Sequence, residues 1–285
     1  MLLIPFYITY PAASKARLVY AYIWEILTWG TNYTSKHTNA LLAWIVKLFF
    51  APLMIVWITN HFFNLINSSY SGYIIALNWW DFMSFFNTHF FMWAFTTILF
   101  FDVLFFTLWY LLEWQIFKNT IRNVESSFIG WAVVLICYPP FNSYLTNLVG
   151  WHSTDFPQFG NPIIHLSLNI SILILMGIYA WASVALWLKA SNLTNRWIIS
   201  RWPYKYVRHP AYICKNIAWL IWWIPLIIVS FQNPETNTFA ILLGLIAWAF
   251  IYYMRAMTEE AHLSLDPDYI IYKKQVPYKF IPKVW

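Results

Sequence analysis

The polar side chains most able to do chemistry are concentrated in two segments, 192–216 and 255–283. In the first, His209 precedes Pro210, and proline is well suited to the first position of a helix. The free backbone N–H groups and the positive dipole end of such a helix favour a bound anion. Lys215 is predicted to lie one turn into this helix, where a cation opposes the dipole. A bound negative group would explain a cation at that position.

The second segment combines carboxylates with a histidine. Because spacings of three, four and seven repeat on a helix, Arg255, Glu259 and His262 are predicted to share one face, while Glu260 points elsewhere. Glu259 or His262 could serve as a general base if the reaction needs one. The alternative is an ion pair between Arg255 and Glu259 on a solvated helix.

The composition indicates what surrounds these segments. Of the 285 residues, 61% are hydrophobic and only 10% are charged, whereas a soluble domain averages about 25% charged residues. So few charges cannot cover a soluble protein of this length with polar surface, and the high hydrophobicity excludes disorder. The chain is therefore predicted to be an all-α integral membrane protein, solvated mainly by lipid.

Long apolar runs predict where the chain crosses the membrane, since a spanning helix needs about 18 or more such residues. Six segments qualify, at about 41–63, 89–112, 128–149, 163–188, 212–231 and 239–254. The third contains Pro139 and Pro140 and is expected to kink or end there. The stretch 17–29 is too short and too polar to span, which favours an interfacial helix.

The distribution of basic residues predicts the orientation of these spans. The segments 64–88, 150–162 and 232–238 contain no Lys or Arg, and the segments between them carry the basic residues. Because Lys and Arg are retained on the cytoplasmic side, the pattern predicts a multi-pass protein with both termini cytoplasmic. The net charge of +6 is then a topology signal that requires no nucleic-acid partner.

Several familiar site types are absent from the sequence. The glycines form neither a G-x-G-x-x-G motif nor a P-loop. The seven histidines are scattered, without the H-E-x-x-H or clustered spacing of a metal centre. No metal site is therefore predicted.

An ordered set of motifs in the C-terminal third resembles a known enzyme family. The set is Tyr206-x-Arg208-His209-Pro210-x-Tyr212, then Glu259-Glu260-x-x-Leu263, Tyr269-x-x-Tyr272, Val276-Pro277 and Ile281-Pro282. It is similar to that of the isoprenylcysteine carboxyl methyltransferases, which are integral membrane enzymes, and related phospholipid and thiol methyltransferases share the pattern. The resemblance covers about residues 190–285. It suggests an N-terminal transmembrane part, 1–190, and a methyltransferase-like part, 191–285.

The resemblance implies a pocket for S-adenosylmethionine between the two polar segments, open sideways to the bilayer. It also implies a lipid-linked or lipophilic acceptor, such as an isoprenylcysteine carboxylate. The predicted cofactor-binding residues are Tyr204, Tyr206, Arg208, His209, Pro210, Tyr212, Lys215, Asn216, Glu259 and Glu260. The predicted catalytic residues are Arg208, Glu259, Glu260 and His262. Cys214 departs from the pattern, because the family often has glycine there.

The chemical groups of the cofactor suggest individual roles. Its carboxylate suits the start of the helix with Arg208 or Lys215, and its ammonium or ribose hydroxyls suit a glutamate. The adenine and the sulfonium could lie against the rings of Tyr204, Tyr206 or Tyr212.

Two other functions remain open at this point. A membrane sterol or isoprenoid reductase using NADPH would have a related ending with the Val276-Pro-Tyr stretch, although the Glu259-Glu260 pair favours the methyl donor. A non-enzymatic lipid-binding protein could use Lys205, Arg208 and Lys215 to contact lipid phosphates.

Polar residues outside the two segments are weaker candidates. Asp102 lies near the middle of the second span, which makes it a functional candidate or a structural partner of a residue such as Asn169. Glu113, Arg122 and Glu125 border the same inner face and could contribute to the acceptor side.

Overall fold

The protein is a helical bundle with one small β-ribbon. The computed structural model describes residues 16–28, 32–76, 82–112, 119–149, 158–232 and 237–284. Its helices are α1 (Ala16–Leu27), α2 (Ser35–Ala76), α3 (Phe82–Leu111), α4 (Phe128–Leu135), α5 (Phe141–Val149), α6 (Pro162–Leu186), α7 (Pro210–Gln232), α8 (Thr238–Leu263) and α9 (Pro267–Gln275). The strands β1 (Asn123–Val124) and β2 (Thr194–Asn195) pair in antiparallel. The predicted all-α class is confirmed.

Five of these helices, α2, α3, α6, α7 and α8, are long and apolar enough to cross a bilayer. They fit a multi-pass membrane protein. The last of them, α8, continues past the apolar run 239–254 to Leu263 and carries Arg255, Glu259 and His262. The predicted helical continuation of that span is confirmed.

The predicted break in the third segment, 128–149, is confirmed. It is divided into α4 and α5 by a turn at Pro139 and Pro140, since proline lacks the N–H of a helical hydrogen bond and clashes with the preceding turn. Neither of these two helices is long enough to cross a bilayer. The first begins directly after β1, and Leu145 of the second packs in the core with Phe91 and Ile172.

Polar side chains cap the N-termini of α6, α8 and α9. The Asn161 side chain accepts hydrogen bonds from the backbone N–H groups of Ile163 and Ile164 at 2.9 and 3.2 Å. Asn237 caps α8 in the same way, and Asp266 caps α9 ahead of Pro267. Each cap satisfies backbone donors that have no partner within the helix.

The helix predicted at 17–29 is α1, and it packs against α2. Ile23 is buried with Ala43 and Val46, and Glu25 pairs with His37 at 3.1 Å. The interfacial position of α1 stays a prediction.

The β-ribbon joins the two predicted parts of the chain. Asn123 lies opposite Asn195, and Val124 lies opposite Thr194. The ribbon spans the suggested division at residue 190, so the segment before α4 is placed beside the segment that leads to α7. Residues from both parts can therefore line one site.

Candidate functional site

The start of α7 and the end of α8 bring the predicted motifs together. Arg208 Nε donates a hydrogen bond to Glu260 Oε1 over 2.6 Å. Both side chains are buried, with 3% and 6% of their surface exposed. The two polar segments thus meet at one point of the fold.

Arg208 also forms hydrogen bonds with the segment that follows α9. Its Nη1 donates to the carbonyl oxygens of Val276 and Pro277, each at 2.7 Å. Its backbone N–H donates to the carbonyl of Tyr278 at 3.0 Å. Because these donors are used within the protein, Arg208 is placed to position the end of the chain against α7.

The two adjacent glutamates have different surroundings. Glu260 Oε1 lies 3.2 Å from His209 Nε2, and its Oε2 lies 3.9 Å from Lys279 Nζ. Glu259 is 45% exposed and accepts a hydrogen bond from the Tyr212 hydroxyl at 2.8 Å. Glu259 therefore keeps acceptor capacity for a ligand, whereas Glu260 is taken up by neighbouring cations.

A cavity of about 190 Å³ opens beside this junction, smaller than the roughly 300–1000 Å³ typical of small-molecule sites. Apolar side chains of α2 and α3, among them Met54, Trp57 and Phe106, form one wall. The polar lining is Asp102, Tyr138, Tyr179, Ser183, Ser191, Asn192, Tyr204, Arg208, His209, Tyr212, Lys215, Tyr252, Arg255 and Glu259. The cavity thus joins a polar end to an apolar wall.

A buried arginine and a half-buried lysine line this cavity. Lys215 Nζ donates to the Tyr252 hydroxyl at 3.0 Å, and Arg255 Nη2 donates to Asn192 Oδ1 at 3.0 Å. Arg255 Nε is buried and has no hydrogen-bond partner in the described part of the chain. Buried charges are costly unless they are paired and hydrogen-bonded, so this end of the cavity favours an anionic group.

The first turn of α7 adds backbone donors to the same end. Ala211 and Tyr212 line the cavity, and the first N–H groups of a helix have no acceptor within it. Together with Lys215 and Arg255 they form the type of anion site that the sequence predicts at this helix start.

The deep end of the cavity contains Asp102. Its Oδ2 accepts a hydrogen bond from the Tyr179 hydroxyl at 3.0 Å. The suggested structural pairing with a polar residue of a neighbouring span is confirmed, but the partner is Tyr179 of α6 and not Asn169, whose amide donates to Asn87 Oδ1 at 3.1 Å. Asp102 also lines the cavity.

A smaller cavity of about 70 Å³ adjoins the larger one. The two share Ser191, Asn192, Tyr212, Arg255 and Glu259 in their linings. His262 and Glu125 line only the smaller cavity of these two, and His262 Nδ1 lies 3.9 Å from Glu125 Oε2. The suggested acceptor-side residue Glu125 thus lies beside a predicted catalytic histidine.

The predicted site residues divide between these cavities and their surroundings. The larger cavity is lined by Tyr204, Arg208, His209, Pro210, Tyr212, Lys215 and Glu259. Tyr206 lies outside both, 51% exposed, and Asn216 Nδ2 is bonded to the carbonyl of Tyr212. Glu260 also lines neither cavity, since Arg208 and His209 surround it.

Sequence reasoning missed several cavity residues. Tyr138, Tyr179 and Asn192 carry no motif, and each belongs to an apolar run or a loop. The only signal in the sequence is that Tyr138 directly precedes Pro139 and Pro140. The aromatic wall residue Trp57 gave no signal at all, because a single tryptophan in an apolar run is usual.

An ion pair outside the membrane-spanning helices fastens the ribbon to α9. Arg122 Nη1 lies 2.7 Å from Asp266 Oδ2, and Asn195 Nδ2 donates to the same oxygen at 2.7 Å. Burial raises the pKa of Asp266, but the hydrogen bonds from Asn195 and Arg122 outweigh burial and hold that pKa below its ordinary value. The Arg122 guanidinium also lies over the Trp197 ring, 3.8 Å from its centroid.

Tyr204 presents a protonated phenol to the cavity. Burial raises its pKa well above the ordinary value, and the negative charge of Glu259 raises it further. Its backbone carbonyl accepts a hydrogen bond from the Tyr272 hydroxyl at 2.7 Å. The α9 helix therefore supports the loop that positions this ring.

Comparison with known proteins gives no identification: no protein-family model matches the chain, and no curated protein matches it. The assignment of the site depends on its geometry together with the motif resemblance.

Proposed function

We propose that this chain is a membrane methyltransferase that uses S-adenosylmethionine and acts on a lipid-linked or lipophilic acceptor. The observation that carries the proposal is the contact between Arg208 and Glu260, 2.6 Å apart, at the edge of a cavity of about 190 Å³. The motif resemblance indicates S-adenosylmethionine as the methyl donor. The geometry supports it because both halves of the motif border one space.

The polar lining fits the charged groups of the donor. Arg255, Lys215 and the first turn of α7 would hold its carboxylate, since all three line the cavity and Arg255 Nε has no hydrogen-bond partner among the described residues. Glu259 would accept hydrogen bonds from the ammonium group or the ribose hydroxyls of the donor. The rings of Tyr204 and Tyr212 would lie against the adenine or the sulfonium. Arg208 and Glu260, whose polar atoms bond within the protein, take a positioning role.

When bound, S-adenosylmethionine supplies an electrophilic methyl group on its sulfonium. The contribution of the protein is to hold the acceptor in line with that methyl group and to exclude water. Met54, Trp57 and Phe106 form an apolar wall on one side of the cavity, which fits a hydrophobic acceptor. No covalent bond to the protein is needed.

The site is proposed to face the cytoplasm. The support is the clustering of Lys and Arg next to the site, because basic residues are retained on that side. Lys205 is exposed near the cavity, so a Lys205→Cys variant reports on orientation. An impermeant thiol reagent should label it in inside-out vesicles and not in right-side-out vesicles. The reverse pattern would contradict a cytoplasmic site.

Ligand binding to the purified protein tests the proposed donor. S-adenosylhomocysteine should raise the melting temperature, and NADPH should not, whereas a reductase would show the opposite. Neither ligand would change the melting temperature of a protein that only binds lipid.

Two lysine variants refine this test. Lys215→Met should weaken the binding of S-adenosylhomocysteine by at least about tenfold, or about 1.4 kcal/mol, because it removes a cavity cation. Lys205→Met is the matched control, since Lys205 is exposed and lies over the Tyr206 ring. A larger effect of the control would favour contacts with lipid phosphates. Transfer of a radiolabelled methyl group to lipid extracts would then give the acceptor.

A further inference from the structure

A third cavity lies apart from the two cavities described above. Its volume is about 550 Å³, within the range of about 300–1000 Å³ typical of small-molecule sites. It is formed by Tyr22 of α1, the first turns of α2, residues 120–123 and Trp197, and we call it the ribbon cavity. Among the described residues it shares no lining residue with the other two cavities. The proposed methyl transfer therefore leaves it unused.

A buried hydroxyl in this cavity lacks a partner. The Thr120 side chain lines the cavity, and the residue is only 8% exposed. Its hydroxyl forms no hydrogen bond within the described part of the chain. Because a buried hydroxyl without a hydrogen bond costs free energy, Thr120 favours a ligand that brings an acceptor into the cavity.

Arg122 brings unused donors to the same space. Its Nη1 donates to Asp266 Oδ2 at 2.7 Å and to Asp268 Oδ2 at 3.0 Å, whereas its Nε and Nη2 have no hydrogen-bond partner among the described residues. The guanidinium lies 3.8 Å from the centroid of the Trp197 ring, which fixes its position. A guanidinium with free donors suits the paired oxygens of a phosphate.

The start of α2 supplies the positive charge that the site needs. Asp266 and Asp268 offset the charge of Arg122, whereas Lys36 forms no ion pair with the described residues and lines the cavity with Ser35. The first N–H groups of a helix have no acceptor within it and favour an anion. No carboxylate of the described residues lines the ribbon cavity, so the local charge favours an anionic ligand.

A contact between α2 and the ribbon holds these groups around one space. Asn39 Oδ1 accepts a hydrogen bond from the Val124 backbone N–H at 2.8 Å. The donors of α2 are thereby held next to those of residues 120–123. A phosphate monoester offers three strong acceptor oxygens, which suits donors that come from separate elements.

We propose that the ribbon cavity binds a phosphate monoester, with Lys36, Thr120 and Arg122 as its hydrogen-bond donors. The cavity lies at the predicted membrane surface, where α2 begins its apolar run and where aromatic residues such as Tyr22 and Trp197 are frequent. Basic pockets at the cytoplasmic side of membrane helices bind phosphorylated lipid headgroups. This position favours a lipid headgroup over a soluble ester as the source of the phosphate.

Titration of the purified full chain tests the phosphate site. The probes are a short-chain phosphatidylinositol phosphate, which carries a monoester, and short-chain phosphatidylinositol, which carries only a diester. The monoester lipid should bind at least about tenfold more tightly, and its affinity should fall with rising salt concentration. Equal affinities for the two lipids would overturn the proposal.

Soluble inositol bisphosphate identifies the source of the phosphate. If it binds about tenfold more weakly than the monoester lipid, the ligand is a lipid headgroup. If it binds equally well, the phosphate site stands and its ligand is a soluble ester. Failure of both phosphorylated probes to bind would overturn the site.

Variants test the individual donors. Lys36→Met should weaken binding of the monoester lipid by about tenfold, and Thr120→Val by about fivefold. Without ligand, Thr120→Val should melt no lower than the wild type, because its hydroxyl has no partner to lose. Lys205→Met is the matched control, since Lys205 is also an exposed lysine but lies outside the cavity. If Thr120→Val fails to fold, the exposed Lys36 still decides, and unchanged affinity in Lys36→Met would overturn its role.

The proposal does not rest on the proposed function, and S-adenosylhomocysteine separates the two. Lys36→Met should bind it as the wild type does, because the ribbon cavity is separate from the larger cavity. If the wild type binds the monoester lipid but not S-adenosylhomocysteine, the ribbon site stands and the methyltransferase proposal fails. If it binds S-adenosylhomocysteine but neither phosphorylated probe, the ribbon site fails alone.

Discussion

Arg208 Nε and Glu260 Oε1 form a buried ion pair across 2.6 Å, although 52 residues separate them in the sequence. The pair joins the start of α7 to the end of α8. His209 lies 3.2 Å from the same carboxylate oxygen. Since Arg208 also bonds to two backbone carbonyls near the end of the chain, this pair determines where three segments meet.

Breaking the pair should therefore lower stability before it affects chemistry. In Arg208→Ala or Glu260→Ala, one buried charge loses its partner, which typically costs roughly 3–5 kcal/mol. Thermal or detergent-induced unfolding of the purified variants measures this loss. Wild-type unfolding in either variant would contradict a structural role for the pair.

Glu259→Gln should show the opposite pattern. Its side chain is 45% exposed, and an exposed substitution usually changes stability by about 0.5 kcal/mol or less. The affinity for S-adenosylhomocysteine should fall by about tenfold, because Glu259 is the carboxylate of the pair that faces the larger cavity. Calorimetric titration gives this affinity. Glu260→Gln is the matched comparison, and equal effects of the two variants on stability and binding would refute their separate roles.

The sequence predicts the long helices well because lipid imposes a simple pattern on them. A crossing helix must satisfy its own backbone and present apolar side chains, so α2, α3, α6, α7 and α8 each stand out as apolar runs. At 128–149 hydropathy alone would predict one span, and the break is predicted only from the inability of proline to continue a helix. Pro139 and Pro140 divide this run although its composition is continuous.

The site could be predicted only where its residues share a motif. Arg208 and Glu260 were expected to meet, and they do. Tyr179 contacts Asp102 through helix packing between α3 and α6, which no local spacing encodes. Tyr206 has the type and spacing of a ligand residue but faces outward, because a loop does not have a helix's fixed direction.

The ion pair between Arg122 and Asp266 should make the free energy of unfolding depend on pH in the acid range. The folded-state pKa of Asp266 lies below the ordinary value of 3.8, so its ionised form contributes stability fully at pH values above 3.8. Below 3.8 the unfolded state takes up a proton first, and this contribution is lost as the pH falls through the folded-state pKa.

Melting temperatures of the wild type and Asp266→Asn measure this contribution. Asparagine can still cap α9, so the variant removes mainly the charge beside Arg122. The difference in melting temperature between the two proteins should be largest near neutral pH and should shrink below pH 3.8. Asp268→Asn is the control, because its 55% exposed side chain makes only a weak surface pair. A difference independent of pH would show that Asp266 acts through shape and not charge.

Gly130→Ala should separate the smaller cavity from the donor site. Gly130 lies in the first turn of α4, where its N–H donates to the Ser127 cap, and the added Cβ would lie 2.5 Å from Glu125 Cγ and push this carboxylate away from His262. Methyl transfer should fall by about tenfold, while S-adenosylhomocysteine binding stays unchanged, because Gly130 lines only the smaller cavity of the two.

Gly177→Ala provides the matched control for this variant. Gly177 lies within α6, and a Cβ atom there would have nothing within 4 Å. This variant should therefore gain the stabilisation of about 1 kcal/mol that helix propensity predicts and leave S-adenosylhomocysteine binding and methyl transfer unchanged. If Gly130→Ala behaves in the same way, the space beside Glu125 is not required, and the predicted role of His262 as a general base loses its structural basis.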